Sequence, residues 1–365
     1  MNVLALCREY PPYNNGGMGY PLYYLVKYGV EKDIKFTLIT NYPSLRIFKV
    51  KKKDITQIFV PTLGENFLTK IPSYAFFSSL LVKKLQEKCD IIYSTSSPFI
   101  GSTFRPLIFH IQGTRYGEAL AARKIGWTLA EILNKSFIGF DKMMVRKGVA
   151  LIFPSQALVT EVSSFSDIKQ KQYAVIPNGV DTTMFYPRGK KSFISSFKRI
   201  LYVGRLDRRK GVDRFFYVLD RMKSRLKFKF IIVGSGREYP RLLYLAEKLG
   251  LPVEFKGKVD HQKLPEIYNA VDLFVMPSIY EPFGLVALEA MASGTPTVVS
   301  VNCPLDKIPK FDPYDVENTA EMLLGLLSSP DKLRRLSERC REVALEYDWQ
   351  VIVDKMVNFM ERFLK

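Results

Sequence analysis

The chain has 365 residues, 47% of them hydrophobic, so more than one buried core and two domains are expected. Four scattered cysteines without a Cys-x-x-Cys pair argue against a disulfide framework or a zinc site and favour a reducing cytosol. A net charge of +18 favours an anionic partner, either a membrane surface or a phosphorylated substrate, although plain solubility explains it equally well; no nucleic-acid-binding signature accompanies it.

The N-terminus is interrupted too soon, at Pro11 and Pro12, for a signal peptide, and no apolar run approaches the roughly 20 residues that span a bilayer. We therefore expect a cytoplasmic protein that can attach peripherally to the inner face of the cell membrane. Two candidates for that contact are the basic segment 46–54 and an amphipathic helix over 72–88. A helix packed on a sheet beside a solvated lysine run would explain the same residues.

Short apolar runs bounded by turn residues have the length of buried parallel strands. In chain order they are residues 3–7, 35–40, 90–93, 107–111, 150–154, 173–176, 200–203, 228–233, 271–276 and 296–300. Helical patterns lie between them, at residues 20–27, 72–88, 128–147 and 283–292. This alternation predicts an α/β fold with parallel sheets.

A glycine-rich loop with Gly16, Gly17 and Gly19 joins the first strand to the helix that begins at Tyr20. Because glycine lets a ligand approach the backbone closely, such a loop can bind a phosphate or a sugar. The spacing matches neither a dinucleotide fingerprint nor a Walker loop, and a plain tight turn would also produce it.

His110 lies at the carboxyl end of the strand predicted over 107–111, where open α/β sheets bind their ligands. A single histidine is more often structural, so both interpretations stay open at this point. The other histidine of the chain, His261, is interpreted as a surface-loop residue.

The strand at 200–203 is followed by the basic segment 204–211, which has the sequence Gly-Arg-Leu-Asp-Arg-Arg-Lys-Gly. It brings Arg205 and Lys210 to the entry of a helix, where cations and free amides together favour an anion. Arg208 and Arg209 are interpreted as exposed side chains.

Residues 271–300 are predicted to form a strand, a loop, a helix and a strand, and they carry Glu281 and Glu289. Glu281 lies in the loop before the helix and Glu289 within it; if both were helical, they would be roughly 12 Å apart along the axis, too far for one acid–base pair but suited to the two ends of an extended ligand. The backbone amides expected to open the helix and face an anion are those of Phe283, Gly284 and Leu285. A loop charge and a solvated helix residue are the alternatives, but Glu289 lies in an apolar run and needs a partner there.

The stretch Glu281-Pro-Phe-Gly-Leu, with Glu289 eight positions after Glu281, resembles the E-x7-E signature of the retaining family 4 glycosyltransferases. Val-Ile-Pro-Asn-Gly-Val-Asp over 175–181 and the segment 204–211 resemble two further elements of that family. The resemblance implies the GT-B fold, with two Rossmann-like domains facing across a cleft. Residues 1–187 would bind the acceptor and 188–349 the nucleotide sugar, with 188–198 as linker and a terminal helix over ~350–365 crossing back to the first domain.

The resemblance also implies the residues that carry the reaction. Glu281 would orient the donor sugar, and His110 would touch that sugar next to the reacting carbon. Arg205 and Lys210 would bind the diphosphate and stabilise it as it leaves.

The remaining donor contacts implied by the resemblance come from backbone and ribose-binding groups. Glu289 would bind the ribose hydroxyls, and the loop with Gly16 and Gly17 would face the donor phosphates and the acceptor. No Asp-x-Asp occurs and side chains supply the phosphate cations, so neither a metal nor a cofactor is expected.

The expected activity is that of a hexosyltransferase in polysaccharide or glycolipid synthesis. It would move a sugar from a UDP- or GDP-linked donor to a glycan or lipid-linked acceptor and form an α-glycosidic bond. A nucleotide-sugar epimerase of the same fold is the nearest rival enzyme, but its carboxylate pattern differs. The alternative is a non-catalytic nucleotide-sugar-binding or scaffold protein, favoured by segment 301–315, which has three prolines and lacks the family's Gly-Gly turn.

Overall fold

The structure, a computed structural model, describes residues 1–11, 17–41, 47–63, 67–95, 97, 99–189 and 191–364. It divides into two compact units. The first comprises Met1–Leu120, Thr128–Asn178 and Trp349–Lys365, and the second comprises Ala121–Trp127 and Gly179–Asp348.

The first unit is built on an eight-stranded sheet in the order β3-β4-β2-β1-β5-β6-β7-β8. The strands are β1 (Asn2–Cys7), β2 (Lys35–Asn41), β3 (Phe48–Lys52), β4 (Ile55–Val60), β5 (Ile91–Thr95), β6 (Leu107–His110), β7 (Ala150–Phe153) and β8 (Gln172–Val175). All neighbours are parallel except β3 and β4, which form an antiparallel hairpin. The described part of the basic segment 46–54 is therefore mainly an exposed edge strand, and Arg46 lies outside the described residues.

The helices that begin in the first unit before α13 are α1 (Tyr20–Val30), α2 (Phe67–Leu85), α3 (Arg115–Lys124), α4 (Thr128–Lys135), α5 (Ile138–Lys147) and α6 (Gln156–Ser163). The last four residues of α3 belong to the segment Ala121–Trp127 of the second unit. The prediction of one helix over 128–147 is wrong, because the chain turns at Ser136 and Phe137. The Ser136 hydroxyl donates to the carbonyl of Ile132 (3.1 Å), and the Phe137 amide bonds three residues back to Asn134 (3.0 Å).

The second unit has a six-stranded parallel sheet in the order β11-β10-β9-β12-β13-β14. Its strands are β9 (Phe197–Val203), β10 (Lys227–Val233), β11 (Val253–Gly257), β12 (Leu273–Met276), β13 (Thr297–Ser300) and β14 (Lys310–Phe311). Counted within the unit, this is the order 3-2-1-4-5-6 of a Rossmann fold. The predicted α/β class with two Rossmann-like parallel sheets is confirmed.

The helices of the second unit are α7 (Val212–Met222), α8 (Tyr239–Lys248), α9 (Leu264–Asn269), α10 (Leu285–Ala292), α11 (Val316–Leu327) and α12 (Pro330–Leu345). Helix α10 is buried on nearly every side, as expected for the predicted apolar run, and it carries Glu289 into the interior.

The segment 188–198 is not a free linker in its described part. Lys191 Nζ donates to the carbonyls of Tyr268 (2.9 Å) and Val271 (3.2 Å) and to Thr295 Oγ1 (2.8 Å). The side chain of Phe193 is buried in the hydrophobic core of the second unit. These contacts attach the segment to the second unit.

Residues 179–187, which the sequence assigns to the first domain, also pack in the second unit. The Val180 amide donates to the Tyr347 carbonyl (2.8 Å), and Arg341 Nη1 donates to the carbonyl of the buried Phe185 (3.0 Å). The last helix, α13 (Trp349–Glu361), packs on α1 of the first unit.

Candidate functional site

The strand order of the second unit reverses direction between β9 and β12, which pair directly. In open parallel sheets, ligands bind at the carboxyl ends of the two strands that flank such a switch point. Two loops lie at this position: residues 204–211 follow β9, and residues 277–284 follow β12. The predicted cationic segment and Glu281 therefore lie where the topology places a ligand.

Backbone contacts hold these two loops together. The amide of Ile279 donates to the carbonyl of Arg209 at 2.7 Å. Gly211 is left-handed (φ 66°), and a Cβ there would lie 2.1 Å from the carbonyl oxygen of Pro277. Only glycine allows this approach, which fixes Lys210 relative to the Glu281 loop.

Lys210 and Glu281 form an ion pair, with Nζ 2.7 Å from Oε2, and both side chains are mostly buried. The hydroxyl of Ser278 donates more weakly to the same oxygen, at 3.4 Å. The structure thus brings together two of the predicted catalytic residues, a cation and a carboxylate, at the switch point.

Arg205 lies on the same loop but remains largely in solvent, with 74% of its side chain exposed and Nε 3.9 Å from Asp207 Oδ2. Asp207 begins the turn 208–210 by accepting from the Arg209 amide (3.1 Å), and Arg209 Nη2 also reaches its carboxylate (3.2 Å). Burial alone would raise the pKa of Asp207, but the charges of Arg209, Lys210 and Arg205 outweigh it and lower the pKa. Its carboxylate stays ionised and orders the cationic loop.

The prediction that Arg208 and Arg209 are merely exposed is wrong for Arg209, whose side chain is mostly buried against Asp207. Arg208 is partly exposed and pairs with Glu238 at 3.3 Å. The two arginines are adjacent in the sequence, so their spacing does not predict that they differ in partner and in burial.

Glu289 is almost fully buried in α10, and both of its oxygens have partners. His261 Nε2 lies 2.7 Å from Oε1, and the hydroxyl of Tyr268 donates to Oε2 at 3.0 Å. The interpretation of His261 as a surface-loop residue is therefore wrong. Burial lowers the pKa of His261, but the charge and hydrogen bond of Glu289 outweigh burial and raise it above its ordinary value.

Helix α10 begins two residues later than the sequence predicts. Gly284 is left-handed (φ 105°) and caps the helix, and a Cβ there would lie 2.9 Å from Cys303 Sγ. The ring of Phe283 is buried in the core, and the helix itself begins at Leu285 with Gly284 as its N-cap. That the backbone amides of Phe283, Gly284 and Leu285 face an anion stays a prediction.

Segment 301–315 packs beneath the Glu281 loop. Ser300 Oγ (2.5 Å) and Asn302 Nδ2 (3.2 Å) both donate to the carbonyl of Ser278, and Cys303 Sγ donates to the carbonyl of Phe283 (3.3 Å). The segment then enters β14 and extends the sheet. The segment has no glycine-rich turn, and it contacts the Glu281 loop through these hydrogen bonds from Asn302 and Cys303.

In the first unit, His110 ends β6 as predicted and is fully buried. Its Nδ1 lies 2.7 Å from the hydroxyl of Tyr93 on β5. Gly17 begins a short helical turn before α1, whereas Gly16 lies outside the described residues. At Gly19 a Cβ would lie 1.6 Å from the carbonyl oxygen of Glu9, so that glycine is needed for backbone packing.

Sequence reasoning missed three side chains that bond to His110 or Glu289: Tyr93, His261 and Tyr268. Their partners lie 17 to 28 positions away on other elements, so no local pattern links them. The one available signal was the apolar surroundings of Glu289, which required some partner without identifying it.

Among the described residues, no three His, Cys, Asp or Glu side chains cluster in a way that could hold a metal ion. No helix in the same part of the chain is long and apolar enough to cross a bilayer.

The fold of the whole chain is that of known GT-B enzymes. Sucrose-phosphate synthase from Thermosynechococcus elongatus has a TM-score of 0.80 at 20% identity, covering 99% of this chain and 98% of that chain. HepE from Anabaena, solved with UDP and glucose, has a TM-score of 0.72 at 17% identity, covering 98% and 99%. The fold and its switch-point loops therefore define a GT-B protein.

Sequence comparison identifies the family. Residues 15–184 match the family described as Glycosyltransferase Family 4, and residues 188–343 match Glycosyl transferases group 1. An uncharacterised glycosyltransferase of Methanocaldococcus jannaschii is 29% identical over 329 residues, covering 82% of this chain and 80% of that protein. The chain belongs to glycosyltransferase family 4 and is an enzyme of the transferase class.

Proposed function

We propose that this glycosyltransferase transfers a sugar from a UDP- or GDP-linked donor to a glycan or lipid-linked acceptor with retention of configuration, forming an α-glycosidic bond. The observation that carries the proposal is the Lys210–Glu281 pair at the switch point of the second sheet. A cation beside a carboxylate suits a ligand that presents a diphosphate next to sugar hydroxyls. The presence of UDP and glucose in the Anabaena fold neighbour supports a donor of this class.

In the proposed reaction, the bond between the anomeric carbon and the phosphate oxygen breaks while the acceptor oxygen bonds to the same face of that carbon. The proton of the acceptor hydroxyl passes to the departing phosphate oxygen, so no protein base is required. Lys210 and the exposed Arg205 stabilise the charge that develops on the diphosphate. Glu281 accepts hydrogen bonds from the donor sugar and orients it.

Glu289 binds the ribose hydroxyls in this proposal. A carboxylate offers about four acceptor sites, and His261 and Tyr268 occupy one on each oxygen. The remaining sites can accept from a ribose diol, and the two protein partners hold the carboxylate in a fixed orientation. No metal is required, because side chains supply the cations that face the diphosphate.

The test compares Glu281→Gln and Lys210→Met with a matched control, Lys223→Met. Lys223 follows the other end of α7 and forms an ion pair of the same 2.7 Å length with Asp220. Loss of a group that stabilises a transition state costs about 10²- to 10³-fold in kcat. We expect a loss of that size for both site variants and wild-type transfer for the control.

Wild-type transfer by either folded site variant would contradict the site assignment. A wild-type protein that binds a nucleotide sugar but transfers nothing to any glycan or lipid-linked acceptor would favour the non-catalytic scaffold alternative. The anomeric configuration of the product, read by proton NMR, decides between retention and inversion.

We further propose that the first unit contacts an anionic membrane surface through α2 and the adjoining loop 100–105. On α2, Phe76 and Leu80 lie one turn apart with 55% and 49% of their surfaces exposed. Ser79 Oγ accepts from the amides of Ile100 (3.0 Å) and Gly101 (3.3 Å), which holds the loop against the helix. The exposed Lys83 and Lys84 follow at the end of the helix, so apolar side chains and cations occur together.

Co-sedimentation with vesicles tests this proposal. Vesicles containing phosphatidylglycerol should retain the protein at low salt, whereas phosphatidylcholine vesicles should not. The variant Phe76→Ser/Leu80→Ser should lose binding, and Ile194→Ser, at an exposed position of the second unit, should keep it. Equal binding by both variants would show that the contact lies elsewhere on the protein. No binding by the wild-type protein would contradict the proposed membrane contact.

A further inference from the structure

Tyr93 and His110 occupy neighbouring strands at the carboxyl end of the first sheet. The register pairs Tyr93 with Ile108 and Thr95 with His110. Since alternate residues of a strand face the same side, both aromatic side chains lie on one face of the sheet. The Tyr93 hydroxyl lies 2.7 Å from His110 Nδ1, and both residues are fully buried.

The hydrogen bond has two possible directions, and counting satisfied atoms separates them. If Tyr93 donates to Nδ1, the hydroxyl proton and Nδ1 are both satisfied and only the Nε2–H of His110 remains unbonded. If Nδ1–H donates to the tyrosyl oxygen, neither the hydroxyl proton nor the Nε2 lone pair has a partner among the described residues. The first arrangement leaves fewer buried polar groups without a partner and is therefore favoured.

Both groups keep the protons that this arrangement needs. Burial lowers the pKa of His110 to about 3, so the ring is neutral at physiological pH. Burial also raises the pKa of Tyr93 well above its ordinary value, so the hydroxyl remains protonated. His110 is thus a hydrogen-bond donor that does not act as an imidazolium acid.

His110 Nε2 is buried and has no hydrogen-bond partner among the described residues. It lies at the carboxyl end of a parallel strand, where this class of sheet binds ligands. A buried N–H without an acceptor is unfavourable, and a ligand oxygen would satisfy it.

We propose that Tyr93 is a positioning residue that holds His110 in the neutral Nε2–H tautomer, so that Nε2–H donates to a hydroxyl of the bound sugar. The tautomer follows from the Tyr93–His110 geometry alone, whereas the sugar hydroxyl as acceptor rests on the proposed function. Loss of the Tyr93 hydroxyl frees Nδ1 and lets the ring exchange between tautomers and orientations.

The chain has only two histidines, so protein labelled with ¹⁵N-histidine contains two ring systems. Long-range ¹H–¹⁵N spectra, with His261→Gln used for assignment, should show His110 as the Nε2–H tautomer and unchanged from pH 6 to 8. In Tyr93→Phe the Nδ1 resonance should move to the position of an unbonded nitrogen. A wild-type His110 in the Nδ1–H form, or an Nδ1 resonance that is the same in the variant, would overturn the proposal.

Kinetics separate positioning from structural support. Tyr93→Phe should lower kcat/KM about tenfold, whereas Tyr74→Phe should not, although it also removes a buried hydroxyl, one that donates to Ile39 at 2.6 Å. In the His110→Phe background, Tyr93→Phe should cause no further loss. Additive losses would overturn the proposal, because Tyr93 would then act independently of His110.

A glutamine amide can replace the Nε2–H donor, so His110→Gln should retain more activity than His110→Asn. Equal loss in these two variants would contradict the role of Nε2–H. If the wild-type protein transfers no sugar, the proposed function fails, yet the NMR spectra still decide the tautomer.

Discussion

Replacing His261 with glutamine should destabilise the second unit, and more strongly at pH 6 than at pH 9. His261 Nε2 lies 2.7 Å from Glu289 Oε1, with 25% and 12% of the two side chains exposed. Glu289 raises the pKa of His261 above its ordinary value of 6.5. The ionised pair therefore contributes fully below pH 6.5, and its extra stability is lost as the pH rises through the folded-state pKa.

The magnitude follows from the kind of hydrogen bond that each protonation state makes. The acceptor is a carboxylate at both pH values, so the imidazolium at pH 6 makes a bond between two charged groups, whereas the neutral imidazole at pH 9 makes a bond with one charged partner. Charged hydrogen bonds contribute about 1.5–3 kcal/mol, and the glutamine amide can keep part of the bond with one charged partner. We therefore expect His261→Gln to lower the free energy of unfolding by about 2 kcal/mol at pH 6 and about 1 kcal/mol at pH 9. For a unit of this size, 1 kcal/mol shifts Tm by roughly 2–4 °C, so the losses should be roughly 4–8 °C and 2–4 °C.

Calorimetry at both pH values, on wild type, His261→Gln, Glu289→Gln and the double variant, measures this difference. In the Glu289→Gln background, the pH-dependent part of the His261 effect should disappear. A loss that is equal at pH 6 and pH 9, or that persists without the Glu289 charge, would refute the reasoning.

Three further predictions concern the scaffold around the site. Gly211→Ala should lower the free energy of unfolding in urea by at least about 2 kcal/mol, because the new Cβ clashes with the Pro277 carbonyl and the backbone is left-handed. In the control Gly250→Ala, the backbone is also left-handed but the Cβ meets open space, so the loss should be only about 1 kcal/mol. Lys191→Met should cost about 2–3 kcal/mol in the same assay, since the Val271 carbonyl and Thr295 Oγ1 lose the donor that Lys191 supplies, while the Tyr268 carbonyl keeps the Thr295 hydroxyl. A loss below about 0.5 kcal/mol would contradict that. The four cysteines are buried and burial raises the pKa of each thiol, so a thiol reagent at pH 8 should label them only after denaturation.

Much of the second unit could be predicted from sequence because its signals are local. The strand Leu273–Met276 is apolar on both faces, and the segment that carries Arg205 and Lys210 follows a strand. Once the strand order is that of a Rossmann fold, the loops after its first and fourth strands must meet. The Lys210–Glu281 contact is therefore within reach of sequence reasoning.

The rest depends on contacts between distant segments or on backbone conformations that leave weak signals. His261 is polar and lies in a loop sequence, and only the folded chain brings it to Glu289. The turn at Ser136 has neither glycine nor proline to mark it. The segment 188–198 has the polar, basic sequence of a linker, and the residues that attach it are distant in the chain: Asn269 bonds Arg188 and Tyr268 bonds Lys191.

The first unit shows the same contrast at His110. Its position at the end of a strand was evident from the sequence, whereas its orientation was not. The hydroxyl that bonds Nδ1 comes from Tyr93, which belongs to an apolar strand and carries no polar pattern of its own.

Isothermal titration of UDP and GDP in the presence of EDTA, with wild type and Lys210→Met, tests the central claim most directly. One nucleotide should bind wild-type protein without a metal and bind Lys210→Met at least about tenfold more weakly, a difference of about 1.4 kcal/mol. Equal affinity for the two proteins, or no binding of either nucleotide to wild type, would contradict the assignment of the diphosphate to the Lys210–Glu281 loops.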